Sequence, residues 1–212
     1  KSLVGTSFHR TKLVQIAPHY ILCNNMLSVD EVVVIKQHGT PTTGPLSRTI
    51  CLGRNEKSSF HWADFRITPT LATMTIVKKS ATLSSFSLEE IDESSADVWS
   101  SPFQLHETGD MILSLFNSSN ERRRNIKFVV TESNDFGSIF FSIEEELPES
   151  PKFQLINRTM DVVTFRQHLE GANKGKSTKE NIANNVWRSL GPEESSAFGW
   201  LDLLQKEKKL EV

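Results

Sequence analysis

Cysteine is scarce in this 212-residue chain, with only Cys23 and Cys51. Two thiols cannot staple a disulfide scaffold, and both fall in apolar, strand-like stretches. Buried free thiols are expected rather than a bridge, and a reducing compartment suits them. Long apolar runs are missing too. No window approaches the roughly 18 consecutive apolar residues that a membrane-spanning helix needs, and Val32-Val33-Val34-Ile35 is only strand-sized. Excess charge of one sign is also lacking: the formal net charge is −2, which gives no electrostatic drive toward nucleic acid or anionic lipid. The one basic cluster, Arg122-Arg123-Arg124, follows Asn117-Ser118-Ser119-Asn120, where a solvated turn is expected. Lys1 to Gly5 carry neither an initiator Met nor an apolar signal core, as in a fragment of a longer protein.

Catalytic constellations are absent as well. There is no Gly-x-Ser-x-Gly elbow, no phosphate-binding loop ending in Lys-Ser/Thr, no His-Glu-x-x-His and no cysteine pair at zinc spacing. The six histidines (His9, His19, His38, His61, His106 and His168) are scattered without ligand spacing. No enzymatic activity, metal or cofactor is expected. Asn117-Ser118-Ser119 and Asn157-Arg158-Thr159 match the glycosylation sequon, a weak signal by itself.

The texture that is present is β. Tyr20 to Cys23, Val32 to Lys36, Leu71 to Val77, Met111 to Phe116, Ile126 to Thr131 and Ser138 to Ile143 are short runs rich in β-branched and apolar residues. Each is bounded by Gly, Pro, Asn, Asp or Ser, as strands are. Thr73 to Ile76 and Phe141 to Glu144 alternate apolar and polar residues, the mark of a half-buried strand. Helical periodicity is arguable only over Glu193 to Lys209, where Gly199 weakens it. Many short strands with turn signals between them predict an all-β sandwich. Ser80 to Ser95 and Gly171 to Asn185 read as polar loops.

The strongest signal is an internal repeat. Leu52-Gly53-Arg54-Asn55-Glu56-Lys57-Ser58-Ser59-Phe60-His61-Trp62-Ala63-Asp64 lies without gaps over Leu190 to Asp202, identical at seven of thirteen positions. Chance would supply about one match at ordinary composition. Upstream and in order, Pro18 to Asn24 lies over Pro151 to Asn157, and Ile35-Lys36-Gln37-His38 over Phe165-Arg166-Gln167-His168. The spacing is 133 residues at the Asn, 130 at the Gln and 138 at the Leu, so it drifts only across loops. The expected organisation is tandem β-sandwich modules: residues 1–17 as the end of a preceding module, 18–147 as a complete repeat and 148–212 as the first half of the next.

The repeated residues have definable roles. Asn24 and Asn157 end an apolar strand and enter a turn, where the amide can bond local backbone or contact an incoming extended peptide, and both can hold. Phe60 and Trp62, like Phe198 and Trp200, alternate and so share one face, with core packing the expected use. Asp64 and Asp202 should close the following turn. Gln37 and Gln167 are candidates to pair with exposed backbone at a sheet edge.

Leu155-Ile156-Asn157-Arg158-Thr159, Phe165-Arg166-Gln167 and Phe198-Gly199-Trp200-Leu201-Asp202 together resemble the adaptor-binding region of the vacuolar protein sorting-associated protein 13 family. The first copy, Leu22-Cys23-Asn24-Asn25-Met26 and Phe60-His61-Trp62-Ala63-Asp64, is a looser match, with Asn25-Met26 where the family has Arg-Thr. The resemblance implies bridge-like lipid transfer proteins at membrane contact sites, with a six-module β-sandwich array that carries a characteristic Asn in each module. Organelle-resident adaptors recruit such proteins through short Pro-x-Pro peptides. The implied peptide-contacting residues are Asn157, Arg158, Thr159, Arg166, Gln167 and Asn24. The implied location is cytoplasmic and peripheral, at mitochondria, endosomes, vacuole or lysosome and endoplasmic reticulum. Two rivals stand beside this: a sandwich that binds phospholipid directly, for which the acidic run Glu89 to Asp97 is the only calcium-type candidate, and a carbohydrate binder, which needs paired carboxylates or an exposed aromatic platform. A purely structural spacer repeat is the remaining alternative.

Overall fold

A computed structural model describes residues 16–41, 48–78, 99–105, 109–117, 122–133, 137–147, 149–169 and 185–212. The expectations for residues 1–15 and for the loops at 80–95 and 171–184 lie outside them. All regular structure among the described residues is β.

The first copy forms β1 (Tyr20–Asn24), β2 (Glu31–Gln37), β3 (Ile50–Leu52), β4 (Lys57–Phe60), β5 (Ala72–Lys78), β6 (Gly109–Asn117), β7 (Arg122–Glu132) and β8 (Ile139–Glu145). They pair as a five-stranded sheet, β4-β1-β8-β7-β6, and a three-stranded sheet, β3-β2-β5. All six sequence-predicted strands occur. The pairing is antiparallel except where β1 and β8 run parallel.

The alternation along each strand explains why the sheets face one another. Val33 and Ile35 of β2 turn inward to meet Leu22 of β1, Phe128 of β7 and Phe141 of β8 in one buried cluster. Phe103, whose backbone bridges Ala72 at the edge of β5, adds a third ring, 5.0 Å from Phe128 and 5.7 Å from Phe141. Val32 and Val34 face the other way, under Trp99, Cys51 and Val77. Burial there pushes the Cys51 thiol up to about 11. Both cysteines are free thiols.

The second copy forms β9 (Gln154–Ile156), β10 (Val163–Gln167), β11 (Arg188–Leu190), β12 (Ser195–Ala197) and β13 (Leu210–Glu211), as β12-β9 and β11-β10-β13. Its registers reproduce the first. Cys23 opposite Lys57 becomes Ile156 opposite Ser195, and Val33 opposite Leu52 becomes Val163 opposite Leu190. β13 takes the place of β5: His38 N–H donates to Leu71 O, and His168 N–H donates to Lys209 O. Glu193 to Lys209, the one arguable helix, is instead a turn, β12 and irregular chain.

The basic cluster departs from expectation. Arg122, Arg123 and Arg124 are not in a turn but open β7, paired with Asn117, Phe116 and Leu115 of β6. β7 runs to the full length of its partner, and that carries the arginines into the ladder. Arg124 then lies between two carboxylates, 2.7 Å from Glu31 and 3.0 Å from Glu145, tying the start of β2 in one sheet to β7 and β8 in the other. Arg124→Ala would leave both carboxylates half-buried without a cation. It is expected to lower stability by about 2–3 kcal/mol, read as a shifted urea midpoint at unchanged m-value. A loss under about 0.5 kcal/mol would mean that solvent already screens the triad.

Candidate functional site

The repeated residues gather in two polar clusters at opposite ends of each copy. Asn157 follows β9 and is only 4% exposed. Its Nδ2 donates to Leu190 O (3.0 Å), Gly191 O (2.9 Å) and Asp161 O (2.8 Å). Its Oδ1 accepts from Thr159 N–H (2.9 Å) and Thr159 Oγ1 (2.8 Å). The amide therefore joins the β9 sheet to the β11 sheet and closes the 157–161 loop upon itself. Asn24, 1% exposed, does the same with fewer bonds: Nδ2 donates to Leu52 O (2.9 Å), and Oδ1 accepts from Met26 N–H (3.0 Å). The first copy replaces the threonine bonds with packing, since Met26 is buried in the core.

The Leu-Gly-x-x-Glu stretch supplies the acceptors. Glu56 Oε2 accepts from Gly53 N–H (2.7 Å), and Glu194 Oε2 accepts from Gly191 N–H (2.6 Å). Glycine makes room for this, because a Cβ at either position would lie 3.2 Å from the glutamate carboxyl carbon. The turn between them needs a left-handed residue, Asn55 at φ 62° and Glu193 at φ 57°. Asn tolerates that region better than Glu does. The turn then returns main-chain bonds to the Asn: Asn24 N–H to Glu56 O (3.0 Å) and Asn157 N–H to Glu194 O (2.9 Å). Identity of this Glu in both copies was the available signal for its capping role.

Gln37 and Gln167 turn inward rather than to an exposed edge. Gln37 is 0% exposed, donates Nε2 to Asp64 O (2.6 Å) and accepts Asp64 N–H (2.8 Å). Gln167 accepts Leu201 N–H (2.7 Å). Asp64 and Asp202 close the next turn, accepting from Arg66 N–H and Leu204 N–H at 2.9 Å. Bonds from the Arg66 side chain and backbone hold the Asp64 carboxyl down at about 2. Trp62 and Trp200 are half-buried and T-shaped against Phe60 (5.0 Å) and Phe198 (4.8 Å). They are packing residues rather than an exposed platform.

The expected site residues do not all share one surface. Arg158 and Thr159 are exposed on the 157–161 loop that Asn157 holds from beneath. Arg166 and Gln167 are successive strand residues and face opposite sides. Arg166 stacks 4.5 Å from the Trp187 ring centroid and pairs with Glu211 at 2.6 Å. Asn24 belongs to the other copy. The Asn157 sequon is blocked, because its Nδ2 is already committed to three carbonyls. Sequence reasoning missed the apolar residues on the same loops. Leu27 and Val29 in the first copy, and Ile156, Met160 and Val162 in the second, are exposed, with Met160 at 90%. Among the described residues no His, Cys, Asp and Glu group could hold a metal ion, and no helix is long and apolar enough to cross a membrane.

The family described as vacuolar-sorting associated protein 13, adaptor binding domain, matches residues 4–202. The chain belongs to this family. No curated protein matches it. As an adaptor-binding domain it works by protein binding. β9 hydrogen-bonds to β12 alone among the described residues. The groups of Phe153 and Asn157 face β12, through Phe198 N–H to Phe153 O and Asn157 N–H to Glu194 O. Those of Gln154 and Ile156 therefore face outward, along the side where β1 of the adaptor-binding domain's first copy receives β8.

Asn157→Ala removes the Nδ2 bonds to Leu190 O, Gly191 O and Asp161 O and takes the acceptor from Thr159 N–H, and is expected to cost about 2–4 kcal/mol in chemical denaturation. Arg158→Ala should stay within about 0.5 kcal/mol, and equal effects from the two would overturn the clamp. The second check is acid. Bonds from His168 and then Arg166 hold the Glu211 carboxyl below the usual range. A depressed carboxylate stabilises above its unfolded value and loses that stabilisation as pH falls through the folded one. Amide-exchange protection at His168 N–H, which anchors β13, should hold at neutral pH and fall once pH drops below the ordinary glutamate range of about 4.3. Unchanged protection in strong acid would dissociate β13 docking from Glu211.

Proposed function

We propose that this domain recruits a bridge-like lipid transfer protein to organelle membranes by binding short Pro-x-Pro peptides of adaptor proteins. Its place of action is then cytoplasmic and peripheral, at contact sites of mitochondria, endosomes, vacuole or lysosome and endoplasmic reticulum. Residues 18–147 serve as one complete repeat, 148–212 as the first half of the next and 1–17 as the end of a preceding one. The adaptor docks on the second repeat, beside Asn157.

The observation that carries this reading is the match to an adaptor-binding family over residues 4–202, joined to the exposed apolar residues of the loop that Asn157 orders. A peptide adding to a strand edge needs N–H and C=O groups on one side only, and in an extended chain these belong to alternate residues. Prolines two apart both turn their missing N–H away from such an edge and leave the middle residue to pair with it. The spacing of the motif thus suits edge addition. Pro-rich peptides are already extended, so ordering them costs little entropy. Exposed Ile156, Met160 and Val162 offer apolar contact to such a peptide. A small patch of this kind supports about micromolar affinity, roughly −8 kcal/mol. Asn157 and Thr159 act here as positioning residues, Arg158 as the exposed neighbour of the peptide, and Arg166 and Gln167 as the frame of β10. Asn24 holds the matching loop of the first copy.

One observation favours a different reading. Both characteristic Asn side chains are engaged internally, as a structural spacer repeat would require. Titration of fluorescent Pro-x-Pro peptides separates the two. Saturable binding is expected, weakened at least about tenfold by Met160→Glu in a protein with unchanged circular dichroism. A folded wild-type domain that binds none of them would leave the spacer. Co-sedimentation with anionic vesicles only in the presence of calcium would instead favour direct lipid binding.

A further inference from the structure

The two copies share a hydrogen-bond framework, so a place where they differ chemically inside that framework needs a separate reason. Phe165 stands opposite Arg188 as Ile35 stands opposite Ile50. Ile50 packs against the first copy's core. The second copy carries a guanidinium at the same register position. Arg188 lies 5.1 Å from the Phe165 ring centroid, and its Nη2 donates to Ser196 Oγ at 2.7 Å. Among the described residues no carboxylate pairs with it. Burial alone pulls its pKa below the ordinary arginine value.

Arg188, Ser196 and Ala197 form one wall of a cleft of about 270 Å³ between the copies, and Arg124, Asn125, Glu145 and Glu146 form the other. The ionic groups of that second wall are matched. Arg124 pairs with Glu31 and Glu145. Glu146 accepts from Asn125 Nδ2 and from Lys152 N–H, each at 2.8 Å. Arg188 is the cation of this cleft that lacks an anion.

We propose that this cleft is an acidic-residue subsite, in which Arg188 receives the side-chain carboxylate of a bound adaptor peptide. The proposal rests on the peptide-binding reading above and adds a charge requirement to it. A planar, singly charged carboxylate matches the guanidinium fork. Glu145 and Glu146 on the facing wall disfavour a doubly charged phosphate, while their oxygens can accept peptide N–H groups. A ten-residue extended peptide spans about 33 Å, ample to contact the 157–161 loop and still reach a wall made partly by β12.

The test uses ten-residue fluorescent Pro-x-Pro peptides in which a single Glu is moved along an otherwise neutral sequence, each paired with its Gln isostere. One Glu position is expected to bind wild type about tenfold more tightly than its isostere. The gain should vanish in Arg188→Ile, which installs the first copy's residue, and survive in part in Arg188→Lys. The Ile variant, relieved of a buried cation, should melt no lower than wild type. Equal binding of every Glu and Gln pair overturns the subsite and leaves peptide binding standing. A Glu preference that persists in Arg188→Ile overturns it as well. Failure of all the peptides with a folded wild type overturns both readings.

Discussion

A buried carboxamide holds the two sheets of each copy in register. Apolar burial brings sheets face to face without specifying how they slide over one another, because it is non-directional. A side-chain amide bonded to a particular carbonyl does specify it. Asn24, at the end of β1, reaches Leu52 O at the end of β3, and Asn157 reaches Leu190 O and Gly191 O. The Gly–Glu turn presents these carbonyls, and it is itself closed by a side chain of its own. The loop after each Asn, the position of the β9 edge and the height of the exposed loop residues all follow from this clamp. A second amide, that of Gln37 or Gln167, ties the end of the next strand to the chain beyond the Trp. The frame of each copy is therefore polar at both ends and aromatic in the middle.

The repeat was legible in sequence because a hydrogen-bond frame constrains residue types one by one. Gly, Glu, Asn and Gln recur since each occupies a bonding position that few other residues can fill, and Leu recurs as a core residue. Long strands were legible through their β-branched runs. The strands β3, β4, β11 and β12, of three or four residues, were not, because so short a run has no measurable period. Arg122 to Arg124 show the same limit from the other side. A strand's length is set by its partner, and pairing with β6 extends β7 beyond what its own composition signals. The inward turn of Gln37 was also hidden, since it is decided by Asp64, distant in sequence. The loop residues Met160 and Val162 read as ordinary apolar positions until their exposure is seen.

Comparison of the copies separates what the fold needs from what it does not. Positions that agree, such as Asn24 with Asn157 and Glu56 with Glu194, are accounted for by the frame. Positions that disagree are free to do something else. Met26 anchors its loop in the core, whereas the corresponding Thr159 bonds the Asn amide and leaves its loop at the surface. His61 is replaced by Gly199, and here the reason is visible. A Cβ at 199 would lie 2.6 Å from Asn125 Oδ1 and 3.1 Å from Ile112 Cγ2. The second copy approaches the edge of β6 closely enough for Ser114 N–H to bond Trp200 O at 3.0 Å, and Ser101 Oγ bonds Leu201 O beside it.

That close joint gives the cleft between the copies its significance. With Trp200 locked to β6 and Glu146 holding both Asn125 and the start of the second copy at Lys152, the wall bearing Arg188 is set against the wall bearing Arg124 by several independent bonds. A cation buried on a hinge could turn outward to solvent. A half-buried cation in a fixed joint stays partly desolvated while the joint holds, and a bound carboxylate would offset that cost. The replacement of Ile50 by Arg188 is thus intelligible as recognition built on a frame whose stability is supplied elsewhere, by the aromatic core and the Asn clamps.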